Sequence, residues 1–288
     1  MWPALRLAVG AAAERRQEEV AAEAALTLYV DGEELVTLLC TPADLEELVV
    51  GYLAAEGVID RPDDLRWLAV DAERGEAWTA TRGGAGQERA RASARRLVGS
   101  CCGKSRPGLI WQADLGTVRS GRGRGPRLTP AAAARAMAEL RGAAAADVFG
   151  RTGGVHDAGL ARADGSLVVR RMDIGRHNAL DKLYGHVLLR GLGTEGLIAA
   201  VSGRISAEVL LKVAKMGVTV LLSKAAPTSL ALDLAEELGM TAVGFVREGR
   251  MTVYTGAWRI LAAGQEEGWT AANTGTTASP AGATPEEG

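Results

Sequence analysis

The 288-residue chain has only three cysteines and three histidines. Cys40, Cys101 and Cys102 cannot form the disulfide framework of a small secreted domain. A reducing cytoplasm is therefore the expected compartment. No apolar run approaches the roughly 18–20 residues that a bilayer crossing needs, and GLIAAVSG and VTVLLS are far too short. The opening MWPALRLAVGAAAERRQEEV runs straight into charge and has no signal-peptide architecture. No association with a membrane is expected. An excess of either charge is missing as well: 33 Lys+Arg stand against 35 Asp+Glu, a formal net charge of -2. That balance argues against a general nucleic-acid binder. The short GRGRG stretch lacks the interleaved aromatics of an RNA-binding tail. What remains is 47% hydrophobic and 24% charged, the composition of a globular protein with one large or two smaller domains.

The texture of the chain divides it into four segments. Residues 1–22 read as a flexible N-terminus or a frayed helix. Residues 23–127 read as a small α+β domain bearing a cysteine loop. Its strands alternate through AALTLYVDGEELVTLLC around an Asp31-Gly32 hairpin turn. A helix follows, with Thr41 as cap, Pro42 in the first turn, Asp44 at capping-box spacing and Gly57 to close it. Residues 128–262 alternate short apolar strands with amphipathic helices, so a largely parallel, helix-covered sheet is expected. Ser206 caps one helix, Pro227 sits near the start of the next, and Gly217 and Gly239 end them. The tail, 263–288, is too poor in apolar residues to offset its ordering entropy and is expected to have no fixed structure.

Ser100-Cys101-Cys102-Gly103-Lys104-Ser105-Arg106 carries the chemistry most clearly. A nearby cation stabilises a thiolate and lowers its pKa. Between Arg91 and Arg127 nine cations stand against Asp114 alone. Cys40, at the end of VTLLC, reads instead as a small core hydrophobe. Structural zinc is unsupported, because two adjacent thiols lack a second Cys/His pair. The H-x-E and P-C-x-x-C pattern of zinc deaminases is missing too, since Asp157 and Ala158 follow His156.

Three strand ends in the second domain offer anion-binding side chains. Asp173-Ile174-Gly175-Arg176-His177-Asn178 runs from a strand into a helix, where free N–H groups favour an anion. Ser202-Gly203-Arg204 and Lys224-Ala225-Ala226-Pro227-Thr228-Ser229 follow the next two strands, and ligands of open α/β sheets sit outside such ends. These groups suit a phosphorylated, nucleotide-like ligand and offer no carboxylate pair for hydrolysis. Thr152-Gly153-Gly154-Val155-His156 is a further Gly-rich turn, and His186 reads as structural.

GSCCGKS, TGGVHDAGL, DIGRHNALDK, SGRIS, APTSLALDLAEELG and GFVREGRMTVYTG, in that order, resemble the formate dehydrogenase accessory sulfurtransferases of the FdhD/NarQ type. The likeness runs from about residue 25 to 261. It implies an α/β fold of the cytidine deaminase-like three-layer sandwich type without zinc, a small N-terminal α+β unit, and a homodimer. It also implies that sulfur arrives from a cysteine desulfurase as a persulfide. The sulfur then passes to the molybdenum cofactor, bis-molybdopterin guanine dinucleotide, before formate dehydrogenase receives it. The resemblance adds Phe245-Val246-Arg247-Glu248-Gly249-Arg250 as a cofactor-binding stretch. Many members carry C-x-x-C where this chain has adjacent thiols. An ungapped alignment matches Cys102 to the second family cysteine; a two-residue gap matches Cys101 to the first, where the persulfide is usually placed. Met172 stands where an acidic residue is common. Two other readings compete: a non-catalytic cofactor carrier, and a redox sensor, which the strain of an adjacent-cysteine disulfide disfavours.

Overall fold

The computed structural model describes residues 1–10, 12–82, 118, 120–146 and 152–261. The cationic run before Val118 and the tail 263–288 lie outside the described residues.

The N-terminal segment is neither helical nor irregular. β1 (Trp2–Arg6) and β2 (Glu14–Glu18) pair antiparallel, Trp2 opposite Glu18 and Arg6 opposite Glu14. The connection includes Gly10 at φ 80, and Pro3 is tolerated because this ribbon has only edge strands.

A four-stranded sheet follows, formed by β3 (Ala24–Val30), β4 (Glu33–Cys40), β5 (Leu65–Asp71) and β6 (Glu76–Thr81) in the order β4-β3-β6-β5. Leu26, Leu28, Val30 and Val36 are buried, and α1 (Leu45–Ala55) packs over that face with Leu48, Val49 and Leu53. The expected hairpin turn is present, with Asp31 and Gly32 both at positive φ. The expected helix start is displaced. The helix begins at Leu45 behind a left-handed Asp44, not at Thr41 and Pro42. Thr41 is buried and engaged elsewhere: its N–H donates to Asp173 and its hydroxyl accepts from the Ile174 N–H.

The second sheet is mixed, not largely parallel. It comprises β7 (His156–Ala161), β8 (Leu167–Asp173), β9 (Ile198–Val201), β10 (Val220–Ser223), β11 (Thr241–Arg247) and β12 (Arg250–Val253), in the order β12-β11-β10-β9-β7-β8. β9, β10 and β11 are parallel, whereas β7 runs against both β8 and β9 and β12 runs against β11. The short β7–β8 and β11–β12 connections are hairpins, which force antiparallel pairing. Helix α2 (Pro130–Ala146) covers one face through Ala136, Met137 and Leu140 against Ile198, Ala200, Val220, Leu222 and Val243. Helices α3 (Arg176–Leu189), α4 (Ala207–Lys215) and α5 (Ser229–Leu238) cover the other. Ala199 and Leu221, one step out of phase, belong to that second core, as the two-residue period of a strand requires.

This second core continues without a break into the small sheet. α1 crosses α3 at two glycines: a β-carbon on Gly51 would overlap the Asp181 carbonyl, and one on Gly185 the Glu47 carbonyl. Beside the crossing, Arg171 binds Glu47 through two nitrogens, and His186 Nδ1 lies 2.9 Å from Glu47 Oε1. Burial opposes the Glu47 charge, yet the Arg171 and His186 contacts hold its carboxyl below the usual range. Helix ends follow the sequence signals: Ser206 accepts from the Val209 N–H, and Gly239 ends α5 in the left-handed region.

The segment that returns after residue 119 is tied to the amino edge of the sheet. Gly121 N–H donates to the Leu238 carbonyl at 2.7 Å. Fully buried Arg259 donates to the carbonyls of Gly121, Arg124 and Gly239 and to Thr241 Oγ1. Burial lowers its pKa to about 10.

Candidate functional site

β8, β9, β10 and β11 run the same way, so their carboxyl ends share one edge of the sheet. α3, α4 and α5 begin just beyond three of those ends, directing the positive ends of their dipoles toward that edge. Ser206 caps α4, but neither α3 nor α5 has a side-chain cap. N–H donors at those two starts are therefore left for other acceptors.

The Asp173–Asn178 motif divides into two parts. Asp173 is completely buried, as is Lys182 one turn beyond Asn178, and their charged atoms lie 2.7 Å apart. Asp173 also accepts from the N–H groups of Thr41 and Gly175 and from the Asn178 amide, at 3.0, 2.8 and 3.0 Å. Asn178 further donates to the Leu39 carbonyl, and Lys182 to the Thr41 carbonyl. These side chains bolt the start of α3 to the end of β4. Gly175 precedes α3, where a β-carbon would press on the Asn178 amide at 3.1 Å. Asp173 and the Asn178 amide nitrogen are thus engaged in positioning the edge.

Arg176 and His177, the first residues of α3, are half-buried. Arg176 Nε is buried without a hydrogen-bond partner. His177 Nδ1 lies 3.0 Å from Glu208 Oε1 but out of line for a hydrogen bond. The aliphatic part of Arg176 packs on Gly203, where a β-carbon would come within 3.1 Å of it. The same carbon would lie 3.6 Å from His156 Nδ1. His156 Nδ1 is 3.3 Å from Ser202 Oγ, which accepts from the Asp157 N–H at 2.9 Å. Burial first, and the Arg176 charge second, lower the His156 pKa. Arg176, His156, Ser202 and Gly203 therefore form one compact group, with a neutral imidazole beside a guanidinium.

The two following loops are zipped to each other. Ile205 donates to the Ala226 carbonyl and Thr228 to the Ile205 carbonyl, at 3.1 and 3.0 Å. Ser223 Oγ, fully buried, donates to the Gly203 carbonyl at 2.6 Å. Arg204 and Ser229 are exposed, and Pro227 and Thr228 half-buried, at the same edge.

The stretch Phe245–Arg250 is divided by a bulge. Val243 and Val246 both enter the core beneath α2 although they are three residues apart. Phe245 absorbs the irregularity at φ 53 and keeps an exposed ring. A β-carbon on Gly244 before it would lie 3.0, 3.1 and 3.2 Å from Tyr254, Ala225 and Pro227, tighter than ordinary contact. Val246, Arg247, Glu248 and Arg250 line a cleft with Arg141 and Lys224, while Gly249, at φ 79, makes the β11–β12 turn. Cys101 and Cys102 lie outside the described residues. Cys40 is buried at the end of β4, its thiol pushed up to about 11 by burial and the Asp173 charge.

Sequence reasoning assigned His156 only to a weak turn and did not assign Arg141 at all. A histidine after Gly-Gly has no distinctive local signal; its importance comes from Ser202, 46 positions away. Among the described residues no cluster of three His, Cys, Asp or Glu side chains is arranged to hold a metal. No helix among them is long and apolar enough to cross a membrane.

Residues 21–261 match the FdhD/NarQ family, and the chain belongs to that family. A "Sulfur carrier protein FdhD" of Halalkalibacterium halodurans is 45% identical over 247 residues, covering 85% of this chain and 90% of the relative. One of the same name from Geobacillus kaustophilus is 47% identical over 245 residues, covering 85% and 91%. The crystal structure of a proposed formate dehydrogenase accessory protein from Desulfotalea psychrophila superposes with a TM-score of 0.70 at 26% identity. It covers 91% of this chain and 98% of that one.

Proposed function

We propose that this chain is a sulfurtransferase that accepts persulfide sulfur from a cysteine desulfurase and passes it to bis-molybdopterin guanine dinucleotide. The sulfurated molybdenum cofactor then enters the catalytic subunit of formate dehydrogenase. The observation that carries this reading is the sheet edge, where Arg176, His156, Ser202 and Gly203 converge beside uncapped helix starts. This is a setting for the phosphates of a nucleotide arm. The names of the relatives, sulfur carriers and a formate dehydrogenase accessory protein, support the same chemistry.

Cys101, with Cys102 as its relay or substitute, carries the sulfur. The persulfide holds one additional sulfur in an S–S bond; the acceptor's electron pair attacks the outer sulfur, that bond breaks, and cysteine thiolate leaves. Lys104 and Arg106 stabilise the leaving thiolate. Chain length permits the encounter: 18 residues lie between Arg82 and Cys101 and 17 between Cys102 and Ser120. Either stretch spans up to roughly 60 Å when extended. We read the scaffold as the cytidine deaminase sandwich, and the working form as a cytoplasmic homodimer.

A carrier that binds cofactor without transferring sulfur is the alternative. Alkylation of Cys101 and Cys102 separates the two readings. Sulfur transfer predicts that guanosine diphosphate binding survives alkylation while activation of formate dehydrogenase is lost. Retained activation would leave only the carrier.

A further inference from the structure

The small sheet has one face on the core, covered by α1, and a second face turned away from it. The composition of that second face follows from the pairing, because residues directly opposite each other on neighbouring strands point the same way. Tyr29 lies opposite Glu34 and Trp78, Asp71 opposite Glu76, and Trp67 opposite Ala80, two positions along from Trp78. The outer surface of a half-buried sheet is ordinarily polar. Here Trp67 and Trp78 are 48% and 38% exposed, and Leu39, on the same side at the far end of β4, is 60% exposed. The Tyr29 and Trp78 rings are stacked, with centroids 3.9 Å apart and planes 8° from parallel. Trp78 Nε1 donates to Glu76 Oε2 at 3.4 Å, which fixes the outer ring further. Aromatic side chains left in solvent in this number and held rigidly are the composition of a protein interface.

Charge selects the partner. Glu34, Asp71 and Glu76 share the face with the rings. Arg74 meets Glu76 at 3.6 Å from a side chain that is 74% exposed, a weak contact that a better placed cation displaces. Between Ala24 and Arg82 thirteen Asp and Glu stand against four Arg and no Lys. Such a surface repels the phosphates of the cofactor, and two copies of it would bring like charges together. It attracts a guanidinium, which stacks on an indole or phenol ring while its N–H groups pair with a neighbouring carboxylate.

We infer that this face docks the sulfur-donor protein of the proposed function through a basic, arginine-bearing surface. The inference rests on that function for the identity of the donor and on the face for the place. β6, which carries Trp78, ends at Thr81, and Cys101 follows twenty positions later, so a donor seated here sits at the root of the thiol-bearing segment. The strand edge that would hold the cofactor lies beyond α1 and α3, and a donor on the outer face leaves it open.

The test is titration of fluorescently labelled cysteine desulfurase with the full chain, read by anisotropy, without cysteine so that no sulfur moves. The wild-type chain should bind at low salt and lose at least tenfold in affinity at high salt. The charge reversals Glu34→Lys with Glu76→Lys, and separately Trp67→Ser, should each weaken binding at least tenfold with circular dichroism and Tm unchanged, since none of the three side chains enters the core. Binding that both variants leave unaltered, or no binding by the wild-type chain, overturns the docking face. So does a changed oligomeric state of Trp67→Ser in sedimentation with desulfurase binding intact, which gives the face to a second copy. Adding cysteine and taking the intact mass keeps the two claims apart. Sulfur gained by every chain, with binding equal in all, leaves sulfur transfer standing and removes the face. Weakened binding in both variants, with no sulfur gained by any chain, leaves the face and removes sulfur transfer.

Discussion

Two side chains at the sheet edge have opposite requirements. Asp173 must stay charged in a fully buried place, and it does so with Lys182 at 2.7 Å and donors from Thr41, Gly175 and Asn178. Removing one member of such a pair strands the other charge, which costs about 3–5 kcal/mol. Asp173→Asn should therefore lower stability by that amount in a denaturant titration, whereas Asp173→Asn combined with Lys182→Met should recover part of it. Equal losses in the single and double variants would show that the pair is not coupled. His156 must remain neutral: burial and Arg176 lower its pKa from the ordinary 6.5. The unfolded chain therefore takes up this proton at higher pH than the folded one, and folding loses stability as pH falls below about 6.5. That part of the pH dependence should vanish in His156→Gln. An NMR titration should place the His156 midpoint below the ordinary value, and saturating guanosine diphosphate should raise it. A midpoint at the ordinary value that does not move with the nucleotide contradicts the assignment.

At the level of elements, the crossing of α1 and α3 fixes the orientation of the strand edge relative to the small sheet. Gly185 has a backbone carbonyl where a methyl group would go. Gly185→Ala should cost at least about 1–3 kcal/mol as overpacking, a drop of several degrees in Tm measured by circular dichroism. An unchanged Tm would mean that the helices do not meet at this residue. The elements were the most legible feature of the sequence. Alternation and the Asp31-Gly32 turn located β3 and β4, and Ser206, Gly217 and Gly239 marked helix ends that the structure retains. The start of α1 was misread because Thr41-Pro42 is a good local cap, while the buried Asp173 competes for the same threonine from 132 positions away. The sheet was read as too parallel because β7 and β12, which run against their neighbours, carry too little apolar patterning in HDAGLA and RMTV to be recognised as strands. The N-terminal ribbon carries little hydrophobic patterning, and its pairing was not visible in composition.

At the scale of the whole molecule, one edge of the six-stranded sheet gathers four strand ends and three helix starts. That polar loops follow these strands was legible in the sequence: Gly175-Arg176, Ser202-Gly203-Arg204 and Lys224 with Thr228-Ser229 come directly after apolar runs. Burial of Asp173 against Lys182 and the bulge that splits Phe245–Arg250 were not legible, since both depend on packing across the fold. In the function proposed here, the edge holds a phosphorylated ligand and the thiol pair delivers sulfur to it. The direct test of that division is the intact mass of the full chain after incubation with a cysteine desulfurase and cysteine. The account predicts a gain of one sulfur atom, reversed by reductant and lost when Cys101 and Cys102 are both changed to serine. A chain that never gains the sulfur, or that gains it with both serines in place, would contradict the account.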